Sequence, residues 1–469
     1  MPGVRAILNR LLPVVLGLAG IVVFAAWWRG GPMQPIAPRL PGTDRTGTVA
    51  ADAAAAGDVH AGVLTPGDGT ASDLPGDWPW FRGPQLDGIS HETVPLLDAW
   101  PEAGPPVVWR LKLGEGYAGA AIHRGRVYVL DFDMAAQADT LRCLALADGR
   151  ELWHYAYPMK ARPQHGVSRT VPAVTDRFVV TLGPKCHVLC LDATTGEKRW
   201  ALDLVREYGT IVPPWYAGQC PLIDGERVIL APGGPDVLLL ALKLDTGEVL
   251  WQAPNPRRWA MSHASVLPQT LGGRATYVYA AHGGIAAVLA DTGAPLWSTD
   301  AWRIQIATIA TPVPVGERRL FLSGGYNSGS MFLDLPEADG KVTPTPGRRL
   351  PPELFGATQQ TPLLYQDHLY GVRPSGELVC LDLKGDLRWT SGMARRFGIG
   401  PFAIADGKLF VVSDDGMLTM AKATPTAYQP LASAQVLHGH EAWGPIAVAG
   451  GRMIVRDLTE MVCLDLRKP

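Results

Sequence analysis

The 469-residue sequence has no adjacent cysteine pair, no CxxC or CxxCH motif, and no cysteine before position 143. A vicinal disulfide, a zinc knuckle, a c-type haem attachment and a lipid-modified N-terminal cysteine each require one of these. Charge is also scarce. Asp, Glu, Lys and Arg make up 18% and the formal net charge is −2, so nucleic-acid binding is disfavoured, because phosphate contacts need clustered Lys and Arg. What the chain does have is 47% apolar residues, 53 Gly, 41 Pro and 15 Trp. A turn-rich chain with many aromatic anchors and a sizeable core points to an all-β fold.

Arg5 and Arg10 precede an uncharged run over residues 11–28, and Arg29 ends it. Eighteen helical residues rise about 27 Å, near a bilayer's hydrocarbon thickness. Trp27 and Trp28 stand where interfacial aromatics belong, and no A-x-A cleavage site follows. Residues 1–29 are therefore expected to be an uncleaved signal anchor forming one transmembrane helix; a cleaved signal peptide and a soluble helix are the alternatives. Positive charge before the run orients the N-terminus to the cytoplasm. The expected location is thus the cytoplasmic (inner) membrane, single-pass, with the remainder in the periplasmic, extracytoplasmic space. Residues 30–76 carry almost no large apolar side chains and cannot offset their ordering entropy, so a disordered linker is expected there.

One strand type recurs as RVYVLDF, RFVVTLG, RVILAPG, TYVYAAH, RLFLSGG, HLYGVRP, KLFVVSD and RMIVRDL, starting at 126, 177, 227, 276, 319, 368, 408 and 452. The spacing averages near 47 residues, enough for four short strands with turns, which is one propeller blade. A Pro-rich apolar strand precedes most copies and a third strand follows each. A fourth follows a glycine turn, with Trp four residues on: Gly149/Trp153, Gly196/Trp200, Gly247/Trp251, Gly293/Trp297 and Gly385/Trp389. The eighth copy stops after its third strand, whereas PPVVWRLKL (105–113), holding Trp109, is an orphan fourth strand ahead of the first copy. Joining the two closes an eight-bladed ring over 105–469, and closure hides edges that would otherwise template aggregation.

Trp109, Trp153, Trp200, Trp251, Trp297 and Trp389 are read as packing between blades, each indole N–H finding a partner. Blades five and seven depart from the pattern; GRRLPPELFG (347–356) and LASAQVL are the candidate outer strands. Cys143, Cys190, Cys380 and Cys463 share one repeat position and lie too far apart to bridge. Cys186 and Cys220 stand off the pattern, so a disulfide between them is left open.

LDATTGEKRW (191–200) resembles the pyrroloquinoline-quinone (PQQ) type propeller repeat, and similar copies cover 105–469. DWPWFRGPQLDGIS (77–90) is similar to the WPxFRGPxxDG lead-in of bacterial PQQ-binding-like propeller proteins, making 77–104 a lead-in segment in which Arg82 and Trp80 clamp onto the ring. The resemblance implies the quinoprotein alcohol dehydrogenase-like superfamily with a BamB-like eight-bladed architecture. Quinoproteins of this fold oxidise alcohols with PQQ and Ca²⁺, using an adjacent-Cys disulfide beside the quinone and a Glu/Asn/Asp calcium site. No residue of this chain matches those positions, so no catalytic residue is assigned and no cofactor is expected; PQQ with calcium remains the alternative.

Propellers present ligands at the funnel mouth, through residues just before each innermost strand. Here these are Tyr117, Arg169, Gln219, His263, Gln360 and Trp443, with His438, His440 and Glu441 nearby. His438 and His440 share a strand face, but no third ligand has convincing spacing, so no metal site is assigned. The expected function is a membrane-anchored assembly scaffold without catalysis, partnered by the membrane and by other proteins. A PQQ-dependent oxidoreductase and a small-ligand sensor using the funnel are the alternatives.

Overall fold

The second and third strands of each repeat read as continuous apolar runs because both of their faces are covered by neighbouring blades. Phe178–Leu182 is buried at all five positions, and Arg452–Arg456 likewise. Outer strands alternate instead, as in Val249–Pro254, where only Trp251 and Ala253 are buried; a strand with one wet face has this period.

The structure is a computed structural model that describes residues 2–30, 57–162 and 165–468. It divides into two units, Met1–Leu40 and Pro41–Pro469. The first contains the helix Pro2–Gly30, with Leu11, Val15, Leu18 and Val22 all exposed. Among the described residues no helix is long and apolar enough to cross a membrane.

The second unit is all-β, with eight antiparallel four-stranded blades. Blade 1 runs outward from Ala121–His123 through Arg126–Asp133 and Ala138–Ala145 to Glu151–Pro158. Blade 8 has Ala447–Ala449, Arg452–Arg456 and Glu460–Asp465 from the C-terminus. Its fourth strand is Val107–Lys112, which pairs antiparallel with Glu460–Asp465, Trp109 opposite Cys463 and Lys112 opposite Glu460. The ring closes as the repeat count requires.

Adjacent blades interlock through tryptophan on glycine. The hairpin glycine of each regular blade has a positive φ, which only glycine adopts without strain, and the indole of the preceding blade lies against it. A Cβ on Gly149 would meet the Trp109 ring at 2.8 Å, one on Gly196 the Trp153 ring at 2.7 Å, and one on Gly247 the Trp200 ring at 2.8 Å. The same indoles donate across the seam: Trp109 to Leu146 O at 2.9 Å, Trp153 to Thr194 O at 3.0 Å, Trp200 to Leu244 O at 2.8 Å, Trp251 to Ala290 O at 3.1 Å and Trp389 to Thr424 O at 2.8 Å. One repeated spacing thus encodes a turn, a ring stack and a hydrogen bond. Four of the cysteines lie opposite these tryptophans, as Cys143 does opposite Trp153 and Cys380 opposite Trp389.

Two expectations need correction, and the pairing left open for Cys186 and Cys220 is decided. Trp297 Nε1 is buried without a partner, because the next blade, the fifth, replaces the glycine hairpin with an insertion, Glu337–Ala338 pairing Lys341–Val342. Blade 5 then carries Thr345–Leu350 as its outer strand, and Leu350 stands in for tryptophan over Gly385, 2.9 Å from its would-be Cβ. Cys186 and Cys220 do not bridge; all six cysteines are free and buried. Part of the expected linker, residues 57–66, is structured. Asp58 caps a 3₁₀ turn over Val59–Ala61, and Val63–Pro66 adds a fifth strand to blade 1, Val63 opposite Ala156. Main-chain pairing with an open edge needs no large side chains, so composition could not reveal it. Residues 31–56 lie outside the described residues.

Substitutions at the seam should separate these contributions. Gly247→Ala, at φ +75 beneath Trp200, should cost about 2 kcal/mol or more. Gly407→Ala, at φ +64 with nothing within 4 Å, should cost about 1 kcal/mol. Trp251→Phe should be worse than Trp297→Phe by about 1 kcal/mol, the worth of the extra hydrogen bond. Urea-melt midpoints check the order; equal losses at Gly247 and Gly407 would contradict the interlock.

Candidate functional site at the funnel mouth

The lead-in segment does not merely clamp the ring; it crosses the axis. Trp78, 2% exposed, exchanges two 2.8 Å backbone hydrogen bonds with Ile122 on the innermost strand of blade 1. Pro79 O accepts from Val174 N of blade 2 at 2.8 Å. The chain then turns at Arg82 and Leu86, both in the left-handed region, and Ile89–Ser90 pairs parallel with Ile404–Ala405 of blade 7. Arg82 ties this turn to the far side of the ring. It donates to Leu86 O at 2.9 Å and Asp87 O at 2.9 Å within the turn, and to Thr361 O at 3.0 Å and Pro362 O at 3.2 Å on blade 6. Burial lowers its pKa to about 10, but it stays charged. The clamping role expected of Arg82 is thereby accounted for; Trp80 packs on the core between blades 2 and 3.

With the axis crossed, the funnel is a cavity with a floor. Its volume is about 250 Å³, and Phe81 of the lead-in contributes to its wall together with residues of seven blades. Of the nine residues expected at the mouth, Tyr117, Arg169, His263, Gln360 and Trp443 line it. Gln219 does not. It is fully buried, its amide bonding Ala231 on both sides, as donor at 3.2 Å and as acceptor at 2.9 Å, so it is framework. Gly218 and Cys220 flank it on the cavity wall instead. His438 and His440 are exposed and not among the lining residues. Glu441 stands behind Tyr117, whose hydroxyl donates to it at 2.5 Å.

The lining also includes His165, Trp215, Ile309, Tyr326 and Gln359, which the sequence reading missed. Trp215 and Tyr326 lie on connections whose length varies between repeats, where no alignment of copies can reach them. Both have positive φ, +61 and +55, as does Glu441 at +57. Left-handed backbone is costly for such residues and gathers where function or packing over-determines it.

Arg169 is the electrostatic centre. Its guanidinium sits 4.9 Å from the Tyr117 ring centroid, donates to the carbonyls of Trp215 and His165, and reaches Gly166 O at 3.2 Å. Burial lowers its pKa to about 10. His263 donates from Nε2 to Pro214 O at 3.0 Å; burial, then the nearby Arg169 charge, push its pKa down to about 4, so it is neutral at pH 7. Trp443 stacks on Tyr117 with ring centroids 5.1 Å apart and donates to Asp414 Oδ1 at 2.7 Å. The Tyr117 hydroxyl is pushed well above its ordinary pKa by burial and by Glu441.

PQQ with calcium does not suit this donor set. Calcium takes six to eight oxygen ligands. Among the described residues the cavity wall holds no carboxylate, Glu441 is engaged by Tyr117, and no group of three His, Cys, Asp or Glu side chains is arranged to hold a metal. One guanidinium also cannot balance the three carboxylates of the quinone.

The profile of the family described as outer membrane protein assembly factor BamB matches residues 137–386. The outer membrane protein assembly factor BamB of Shewanella oneidensis is 26% identical over 269 residues, 53% of this chain and 62% of that protein's length, so the chain spans under two thirds of this relative. Crystalline BamB of Moraxella catarrhalis superposes with a TM-score of 0.52 at 16% identity, covering 77% of this chain and all of the other. A quinohemoprotein alcohol dehydrogenase of Pseudomonas putida superposes at 0.56 with 15% identity, covering 84% of this chain and 80% of that one. Likeness this remote in sequence speaks for the fold alone.

Arg82→Gln should lose most of the bonds that hold the lead-in across the axis, at a cost of about 2–4 kcal/mol. Limited proteolysis should then cut within residues 77–92, where the wild type is resistant. Unchanged resistance would contradict the anchoring role.

Proposed function

The chain belongs to the family of the outer membrane protein assembly factor BamB, and on that premise we propose that it is an extracytoplasmic assembly scaffold without catalysis, tethered to the cytoplasmic membrane by its N-terminal helix. One observation carries the scaffold reading. Of the ten exposed large apolar side chains described in the propeller unit, five lie on outer strands, and Met134, Ile211, Ile306, Tyr326 and Met393 each stand on a loop that leads into an innermost strand or joins a second strand to a third. Antiparallel alternation puts all such loops on one face of the ring, the face bearing the funnel mouth. Apolar side chains gathered on one face of a soluble ring mark a protein-interaction surface.

The tether rests on the helix Pro2–Gly30 and its uncharged run. Leu11, Leu12, Val14, Val15, Leu16, Leu18, Ile21, Val22, Val23 and Phe24 are all exposed on it. A helix apolar all round calls for a lipid or protein cover. The mismatch between the cavity's donors and PQQ with calcium supports a scaffold over a quinoprotein oxidoreductase.

Crosslinking mass spectrometry in intact cells, with the full chain, tests the reading. A partner should recur on the loop face, and Ile211→Asp combined with Ile306→Asp and Met393→Asp should abolish its crosslinks. These exposed changes should leave stability within about 0.5 kcal/mol. Crosslinks that survive the triple change, or dye reduction by the purified chain on adding PQQ and Ca²⁺, would overturn it.

A further inference from the structure

The axial cavity has a cation with no ion pair: Glu441 acts on it through space but takes the Tyr117 hydroxyl instead. Arg169 is the one permanent cation among its lining residues, which include no carboxylate. Three carbonyls take its Nε and Nη2, and among the described residues Nη1 has no hydrogen-bond partner and the guanidinium no ion pair. A half-buried cation on a cavity wall, held by backbone carbonyls and with one donor nitrogen unclaimed, is preorganised for an anion. Around it stand five aromatic rings, those of Phe81, Tyr117, Trp215, Tyr326 and Trp443. Four of them are Tyr or Trp, side chains that stack on planar groups.

Size narrows the ligand. A cavity of about 150 Å³ admits benzene, so 250 Å³ suits one bicyclic ring system with a short acidic arm. Number of charges narrows it further. A second or third carboxylate would meet no cation and would be desolvated unpaired, with Glu441 close behind Tyr117. We infer that the cavity binds a small aromatic monocarboxylate, with the carboxylate on Arg169 and the ring between the aromatic walls. This site is independent of the scaffold reading, and it excludes the tricarboxylate quinone for which related propellers are named.

Isothermal titration of the purified full chain tests it with three probes: indole-3-acetate, the neutral indole-3-acetamide, and PQQ with Ca²⁺. Indole-3-acetate should saturate at one per chain, and the amide should bind at least about tenfold more weakly, the loss of one charge-assisted contact. Arg169→Gln should weaken the acid at least about tenfold. Because Arg169 also braces the loops at His165 and Trp215, Tyr326→Ala provides a second variant. Tyr326 is 42% exposed, so the fold should persist while acid binding falls several-fold. Equal binding of acid and amide, no binding of the acid at about 10 mM, tighter binding of PQQ, or an unchanged affinity in both variants would overturn the inference.

Discussion

The strand at Val107–Lys112 lies against the last strand of the chain, Glu460–Asp465, and everything else in the propeller depends on that contact. Seven blades are made of consecutive strands, and only the eighth needs segments more than 340 residues apart in the chain, Arg110 meeting Val462. Without it the array would end in two open edges, one of them the buried, apolar third strand of blade 8. With it, each blade has a neighbour on both sides. That is why the second and third strands can be apolar on both faces, and why the hairpin glycines of blades 1 to 4 each find an indole to receive.

Closure also defines the axis, and the lead-in makes use of it. A ring of eight blades leaves a central channel too wide for its own innermost side chains to fill. Residues 78–90 occupy it, pairing with blade 1 at Ile122 and with blade 7 at Ile404. The segment therefore ties blades 1 and 2 to blades 6 and 7 and converts an open funnel into a floored cavity. The positively charged wall at Arg169 and the strained backbone at Trp215 and Tyr326 have meaning only in that enclosed space.

Much of this was legible in the sequence because repetition amplifies weak signals. The blade number, the ring closure, the loss of the glycine–tryptophan hairpin in blades five and seven, and the role of most of the repeated tryptophans follow from one spacing read eight times. Single-copy features were harder. The strand Val63–Pro66 uses its backbone and so leaves no apolar pattern. The lost partner of Trp297 required knowing what the next blade does in space. At the mouth, counting back from each innermost strand found Tyr117, Arg169, His263, Gln360 and Trp443. It could not tell that Gln219 turns inward while its neighbours line the wall, since one residue's shift along an extended chain reverses its face. Tyr326 came from a loop of another class altogether, one that joins a second strand to a third.

Hydrogen exchange at the seam of blade 8 is the most direct measurement of closure. Amides of residues 107–112 and 460–465 should be protected to the level of interior strands such as Phe178–Leu182, and lost together on mild denaturation. Exchange of 107–112 at the rate of an exposed edge, with 460–465 still protected, would mean an open array.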